Sequence, residues 1–147
     1  EDEKSYLGGL GWECLEDWEG GFKWGELHLL KGKKHGVCKE WCSWYVDGHL
    51  SEIECYLNGE RHGKQETWEY DGTKDSECNY HHGKPHGKQV SWWFNGQKHY
   101  EYNYHYGKEH GTWKTWYDDD GTLEEHKEYA YGFLLKDFLK EEKNEEW

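Results

Sequence analysis

Through the middle of the chain, aromatic positions return at fixed intervals between paired turn signals. Trp68, Trp92 and Trp116 recur every 24 residues. Tyr56, Tyr80 and Tyr104 keep the same period, and Tyr129 continues the row one residue late. Between these rows lie Asp71-Gly72 and Asn95-Gly96 on one side, and Asn58-Gly59, His82-Gly83 and Tyr106-Gly107 on the other. Asx-Gly pairs flanked by such stretches signal type I′ hairpin turns, in which both central residues need positive φ. The turns leave stretches of roughly 9 and 11 residues, too short for intervening helices and right for strands. The pattern predicts an up-and-down antiparallel meander of about ten strands, two per repeat. Successive strand residues point to opposite faces. Tyr70 and Phe94 therefore share the face of Trp68 and Trp92, whereas Glu69, Trp93 and Tyr117 lie on the other. Near the C-terminus the period changes. Phe133, Leu134, Leu135, Phe138 and Leu139 trace one helical face, followed by a charged run from Glu141 to Glu146. This predicts a capping helix over 133–146, with a partner-binding amphipathic helix as the alternative.

The repeats align without gaps. Tyr56-Leu57-Asn58-Gly59-Glu60-Arg61-His62-Gly63 matches Tyr80-His81-His82-Gly83-Lys84-Pro85-His86-Gly87, and that matches Tyr104-His105-Tyr106-Gly107-Lys108-Glu109-His110-Gly111. An earlier copy ends at His35-Gly36. A second glycine marks each copy at Gly48, Gly72, Gly96 and Gly121, and Gly21 implies a degenerate copy starting near Gly11. The organisation predicted is one domain over 1–147: a degenerate repeat at 11–28, full repeats over 29–132 and a cap over 133–147. A two-residue turn at Asn58-Gly59 places Tyr56 opposite Arg61, Cys55 opposite His62 and Glu54 opposite Gly63. The same count places Cys78 opposite Gly87 and Tyr102 opposite Gly111. On that register Gly36, Gly63, Gly87 and Gly111 lie inside strands, each open to an aromatic lying over it. Equivalent Trp and Tyr rings would then stack repeat over repeat into ladders.

The pattern Tyr-x-x-Gly-Lys-x-His-Gly, then Trp, then Asp/Asn-Gly, resembles the MORN repeat in its bacterial and giant-virus variant. Residues 56–132 carry it closely and 11–55 more loosely. The run Glu77-Cys78-Asn79-Tyr80 before Gly83 and His86-Gly87 is similar to arrays of amoeba-infecting giant viruses. The resemblance implies an elongated single-layer all-β sheet that binds proteins or sits near membranes. It implies no catalytic residues. Some bacterial proteins with these repeats carry an antitoxin label.

Composition changes this picture in two ways. Leu, Ile, Val and Phe make only 20 of 147 residues, yet there are 11 Trp and 12 Tyr. Each buried ring removes about 150–250 Å² from water, so cohesion must come from aromatics rather than an aliphatic core. The 31 acidic residues outnumber the 18 basic ones, for a formal charge of −13. That balance argues against nucleic acid and against anionic membranes as partners. No apolar run approaches the ~18 residues of a membrane span. The N-terminal Glu1-Asp2-Glu3-Lys4 lacks a signal-peptide pattern, and the absence of an initial Met is compatible with a removed leader.

Residues that suggest chemistry are better explained by structure. His35, His62, His86 and His110 form a column whose members stand about 10 Å apart, too far to share one zinc ion. No metal and no cofactor are expected. The five cysteines 14, 38, 42, 55 and 78 show no metal or redox spacing and read as reduced thiols, although Cys38 and Cys42 could bridge to Cys14 in a secreted protein. The serines lack a His/Asp context, and Asp118-Asp119-Asp120 reads as a solvated turn. An enzyme is not expected. The expectation is a non-enzymatic interaction scaffold, intracellular or virion-associated, with secretion and oligomerisation left open. Trp93, Tyr117 and Glu69 are the candidate partner-binding residues. Headgroup binding, an antitoxin-like role and carbohydrate binding through stacked Trp are the alternatives.

Overall fold

The computed structural model describes residues 3–7, 12–19, 22–41 and 49–144. Gly11, Gly21, Cys42, Gly48, Glu145 and Glu146 lie outside the described residues. The described strands are β1 (Glu3–Leu7), β2 (Trp12–Glu19), β3 (Phe22–Leu30), β4 (Lys33–Lys34), β5 (Gly36–Trp41), β6 (Leu50–Leu57), β7 (Glu60–Arg61) and β8 (Gly63–Trp68). They continue with β9 (Lys74–His81), β10 (Lys84–Pro85), β11 (Gly87–Trp92), β12 (Lys98–His105), β13 (Lys108–Glu109), β14 (Gly111–Trp116), β15 (Leu123–Ala130) and β16 (Phe133–Asp137). All belong to one antiparallel sheet in chain order, followed by the short helix α1 (Phe138–Asn144). The all-β meander is thus the fold. Its sixteen described strands exceed the ten expected because the sheet already includes β1, β2 and β3 and because four ribbons are each broken in two.

The break has a backbone cause. The turns at Lys31-Gly32, Asn58-Gly59, His82-Gly83, Tyr106-Gly107 and Tyr131-Gly132 have positive φ at both central residues, as type I′ requires. Tyr56 pairs with Arg61 as counted from the turn, and His62 N donates to Cys55 O at 2.9 Å. Then Gly63 takes φ +93°, the ladder slips by two residues, and pairing resumes at Ile53–Glu66 and Glu52–Thr67. The expected pairings Glu54–Gly63, Cys78–Gly87 and Tyr102–Gly111 are therefore not made. Pairing resumes at Val90–Glu77 and Glu101–Lys114 in the later repeats. A Cβ on Gly63, Gly87 or Gly111 would meet the Cβ of Cys55, Asn79 or Asn103 and no ring atom, while at Gly36 it would meet the His28 ring at 3.8 Å. A Cβ on Gly111 would meet the Asn103 Cβ at 3.6 Å, an ordinary contact, so left-handed φ is what demands glycine. The bulge is sealed by side chains. Gln65 Nε2 donates to Cys55 O at 2.9 Å and its Oε1 accepts from Cys55 N at 3.1 Å. Gln89 Nε2 and Trp113 Nε1 reach the carbonyls of Asn79 and Asn103 at 2.7 and 2.9 Å.

Two other expectations need correction. The turns at Asp71-Gly72 and Asn95-Gly96 are not type I′, since only their glycines have positive φ. The C-terminal residues 133–137 are not helical. They form β16, which pairs Ala130–Phe133 and Tyr129–Leu134, and the helix begins only at Phe138. The helix packs on the sheet through Phe138, stacked on His126 at 4.2 Å.

Among the described residues the sheet has no thick core. Cys38 and Val90 are its buried apolar residues among those described. Cohesion comes from rings and long cationic stems. The rows of Trp do not simply stack: Lys74 Nζ sits 6.0 Å from the Trp68 ring and 5.6 Å from the Trp92 ring, and Lys98 lies 5.9 Å from Trp116. Lys34 and Arg61 cover Tyr56 and Tyr80 at 4.8 and 5.7 Å. In the last repeats rings meet directly. Tyr102 stacks on Trp113 at 4.0 Å, and Tyr104 and Tyr129 each lie 5.3 Å from the same indole.

Candidate partner-binding edge

One long edge of the sheet consists of the turns after Trp68, Trp92 and Trp116. In the first, Glu69 N donates to Thr73 O at 2.8 Å and Gly72 N to Glu69 O at 2.9 Å. The Asp71 carboxylate accepts from Thr73 N at 2.9 Å and from Thr73 Oγ1 at 2.6 Å. Asn95 accepts from Gln97 N, and Asp120 from Thr122 N, both at 2.9 Å. The Asx side chain thus closes each turn while the glycine supplies the left-handed step. Adjacent turns are tied together, with Asn95 Nδ2 donating to Asp118 O at 2.8 Å.

This geometry sorts the predicted site residues. Trp93 is half-buried. Its Nε1 donates to Trp116 O at 3.1 Å, and its ring stacks on His99 at 3.7 Å. It is a strut between repeats and not a free docking ring. Glu69 is also half-buried at the turn base, while Tyr117 is 48% exposed. The three are not brought together as one open surface. The open rings are Tyr70 and Phe94, 56% and 59% exposed, one residue further into their turns, where chain reversal turns them outward. They stack with centroids 6.1 Å apart. Asp71, Asp118, Asp119 and Asp120 are exposed around them. The overlooked signal was an aromatic residue immediately before an Asx-Gly pair, in a turn slot that polar residues normally occupy.

The opposite edge carries the histidines. His35, His62, His86 and His110 each follow a two-residue strand, and each touches the next turn. With His81, His82, His105, Tyr106 and Tyr131 they form a continuous ridge, with ring centroids 4.3 to 5.7 Å apart from His62 onward. Partial burial and the His81 and His82 rings lower the His62 pKa. Among the described residues, no three His, Cys, Asp or Glu side chains converge as a metal site would need. Cys14, Cys38, Cys55 and Cys78 form no disulfide, and burial raises the pKa of Cys38, Cys55 and Cys78, which disfavours the nucleophilic thiolate. A cavity of about 230 Å³ lies beside Gly25 and Cys38, walled by Glu40, Glu52, Glu54 and Lys34. Burial, with Glu54 and Glu40 nearby, pushes the Glu52 carboxyl above its ordinary range.

No family model matches the chain. No curated protein matches it. Among solved structures, one described as "Crystal Structure of TarM" superposes with a TM-score of 0.31 at 9% sequence identity, covering 94% of this chain and 21% of that one. The chain thus spans about a fifth of that protein's length, and at this score the likeness informs neither fold nor function.

Proposed function

We propose that the chain is a non-enzymatic, MORN-like repeat scaffold that docks a protein partner along its Asx-turn edge. The observation that carries this reading is the exposed Tyr70–Phe94 stack at two successive turn tips, rimmed by carboxylates. Exposed apolar rings with a charged rim mark interaction surfaces, and Tyr and Trp dominate their energetics. Asp71 and Asp120 accept hydrogen bonds within their own turns and are exposed, so their charge faces solvent. The partner fitted to such an edge is a basic segment carrying apolar anchors about 10 Å apart, the span of one repeat. A suitable probe is a 12-residue peptide alternating Arg or Lys with Leu or Phe, followed by fluorescence anisotropy. The Tyr70→Ser/Phe94→Ser variant keeps the charge of the edge and removes its rings. The reading expects the variant to bind the probe about 30-fold more weakly, near 2 kcal/mol. Equal affinity for parent and variant would leave simple charge attraction and overturn the proposal.

A further inference from the structure

The histidine column makes a repeated contact on the edge opposite the docking rings. Asn58, His82, Tyr106 and Tyr131 donate their backbone N–H to Nδ1 of His35, His62, His86 and His110, at 3.2, 3.1, 3.1 and 3.3 Å. Each donor is the first positive-φ residue of the next type I′ turn. The glycine after it donates to the carbonyl of the residue just before the histidine: Lys34, Arg61, Pro85 or Glu109, at 2.7 to 2.8 Å. Each of these four turns is thus latched to the preceding repeat by two backbone donors. One acceptor is a carbonyl, which does not titrate in the physiological range. The other is an imidazole nitrogen, which does.

An Nδ1 that accepts a hydrogen bond must be bare, with the ring proton on Nε2. In the imidazolium form Nδ1 carries a hydrogen aimed at a peptide N–H, and the latch is lost. The surroundings would not hold the charge easily. His62 packs on His81 and His82 at 4.7 Å, His86 on His81 and His105 at 5.7 and 5.2 Å, and His110 on His105 at 5.5 Å. The Tyr106 and Tyr131 rings lie 4.3 and 4.4 Å from His86 and His110. Lys33, Lys84 and Lys108 lay their stems over Gly59, Gly107 and Gly132 of the same turns, and Lys34 adjoins His35. Two carboxylates act the other way: Glu60, 3.5 Å from His82 Nδ1, and Glu109 beside Gly132.

We propose that this edge is a proton-sensitive seam: neutral imidazoles latch each turn to the repeat before it, and acidification through the histidine range releases the latches together. The sign is fixed by the contact. The folded chain favours the neutral ring, whereas the unfolded chain takes up the proton near pH ~6.5. The stability that the latches contribute is complete above that pH and is lost as the pH falls below it. His28 stands outside the column, with its Nε2 2.9 Å from a Glu26 carboxylate oxygen.

The test is made on the full chain. Nitrogen-detected NMR at pH 8 should show His35, His62, His86 and His110 as Nε2–H tautomers, each with a bare Nδ1 that accepts from the next turn. Thermal melts at pH 7.5 and 5.5 should show the parent losing stability. His→Asn at all four positions puts a non-titrating oxygen near the place of Nδ1, so that variant should lose less than half as much. Should the fourfold variant not fold, His86→Asn alone serves, read by hydrogen exchange of the Tyr106 amide at the two pH values. In the parent that amide should become exposed at pH 5.5, and in the variant its protection should change little. Nδ1–H tautomers, or the same acid response in the Asn variants as in the parent, would each overturn the proposal.

Discussion

The bulge after each His-Gly pair breaks the strand ladder, and Gln65 shows what replaces the missing bonds. The residue is 8% exposed, and its amide works in both directions on one residue, donating to Cys55 O at 2.9 Å and accepting from Cys55 N at 3.1 Å. It also donates to Gly63 O at 3.3 Å. Gln65→Ala removes all three bonds and leaves the Cys55 N–H without its side-chain acceptor in a part-buried place. An unpaired buried group costs about 1–3 kcal/mol, so with the lost packing the change should destabilise by roughly 2–3 kcal/mol. For a chain of this length that is a drop of roughly 5–10 °C in Tm. Gln65→Glu keeps an acceptor for Cys55 N but aims a carboxylate at two carbonyls, and at neutral pH it should cost at least as much. Lys88→Ala is the control. It removes an exposed lysine 3.5 Å from Glu101 and should change stability by about 0–1 kcal/mol. Melts followed by circular dichroism report the global cost, and hydrogen exchange at Cys55 reports the local one. If Gln65→Ala melts within a degree of the parent and the Cys55 amide keeps its protection, the amide does not plug the ladder and the reasoning fails.

Other consequences follow from the same geometry. Gly111→Val should cost about 1–3 kcal/mol because φ is +86° there, and Gly111→Asn should cost markedly less; equal losses in urea titrations would point to crowding instead. Trp93→Ala should destabilise by roughly 2–4 kcal/mol by removing the bond to Trp116 O and the stack on His99, and an unchanged Tm would restore Trp93 as a free surface ring. Hydrogen bonds from Lys74 and Lys98 hold the Glu77 and Glu101 carboxyls below their ordinary range. Their stabilising contribution is present above the ordinary glutamate value, near pH ~4.5, and is lost as the pH falls through the lower folded value, which chemical denaturation between pH 5 and 2.5 measures.

The architecture was legible because glycine spacing fixes the turns, and turns 11 residues apart leave only strands between them. The register was not legible beyond Tyr56–Arg61. A glycine inside a strand can mark a close neighbour or a left-handed residue, and only the latter brings the two-residue slip seen at Gly63 and Gly111. The Gly-Lys-Gln runs at 63–65 and 87–89 were the available hint that a side chain seals that slip. The Asx-Gly turns looked like type I′, but the residue after the glycine decides. Thr73, Gln97 and Thr122 each donate a backbone N–H to the Asx side chain and favour the tighter Asx form. At the C-terminus, the apolar run at 133–135 fits a helix and a strand equally, and pairing with β15 decides for the strand. Trp93 was misread for a related reason. Strand alternation placed it opposite Trp92, but a bulge between Ser91 and Trp92 and the bond to the next repeat turn it inward.

The central claim is that binding energy sits on the Asx-turn edge. The most direct measurement is chemical-shift mapping of the isotope-labelled full chain with the basic alternating peptide at low and moderate salt. The account predicts shifts concentrated at 69–72, 93–97 and 117–122, with saturable amplitudes that vanish in Tyr70→Ser/Phe94→Ser. Shifts concentrated on the histidine edge or on β16, or shifts that survive loss of both rings, would contradict it.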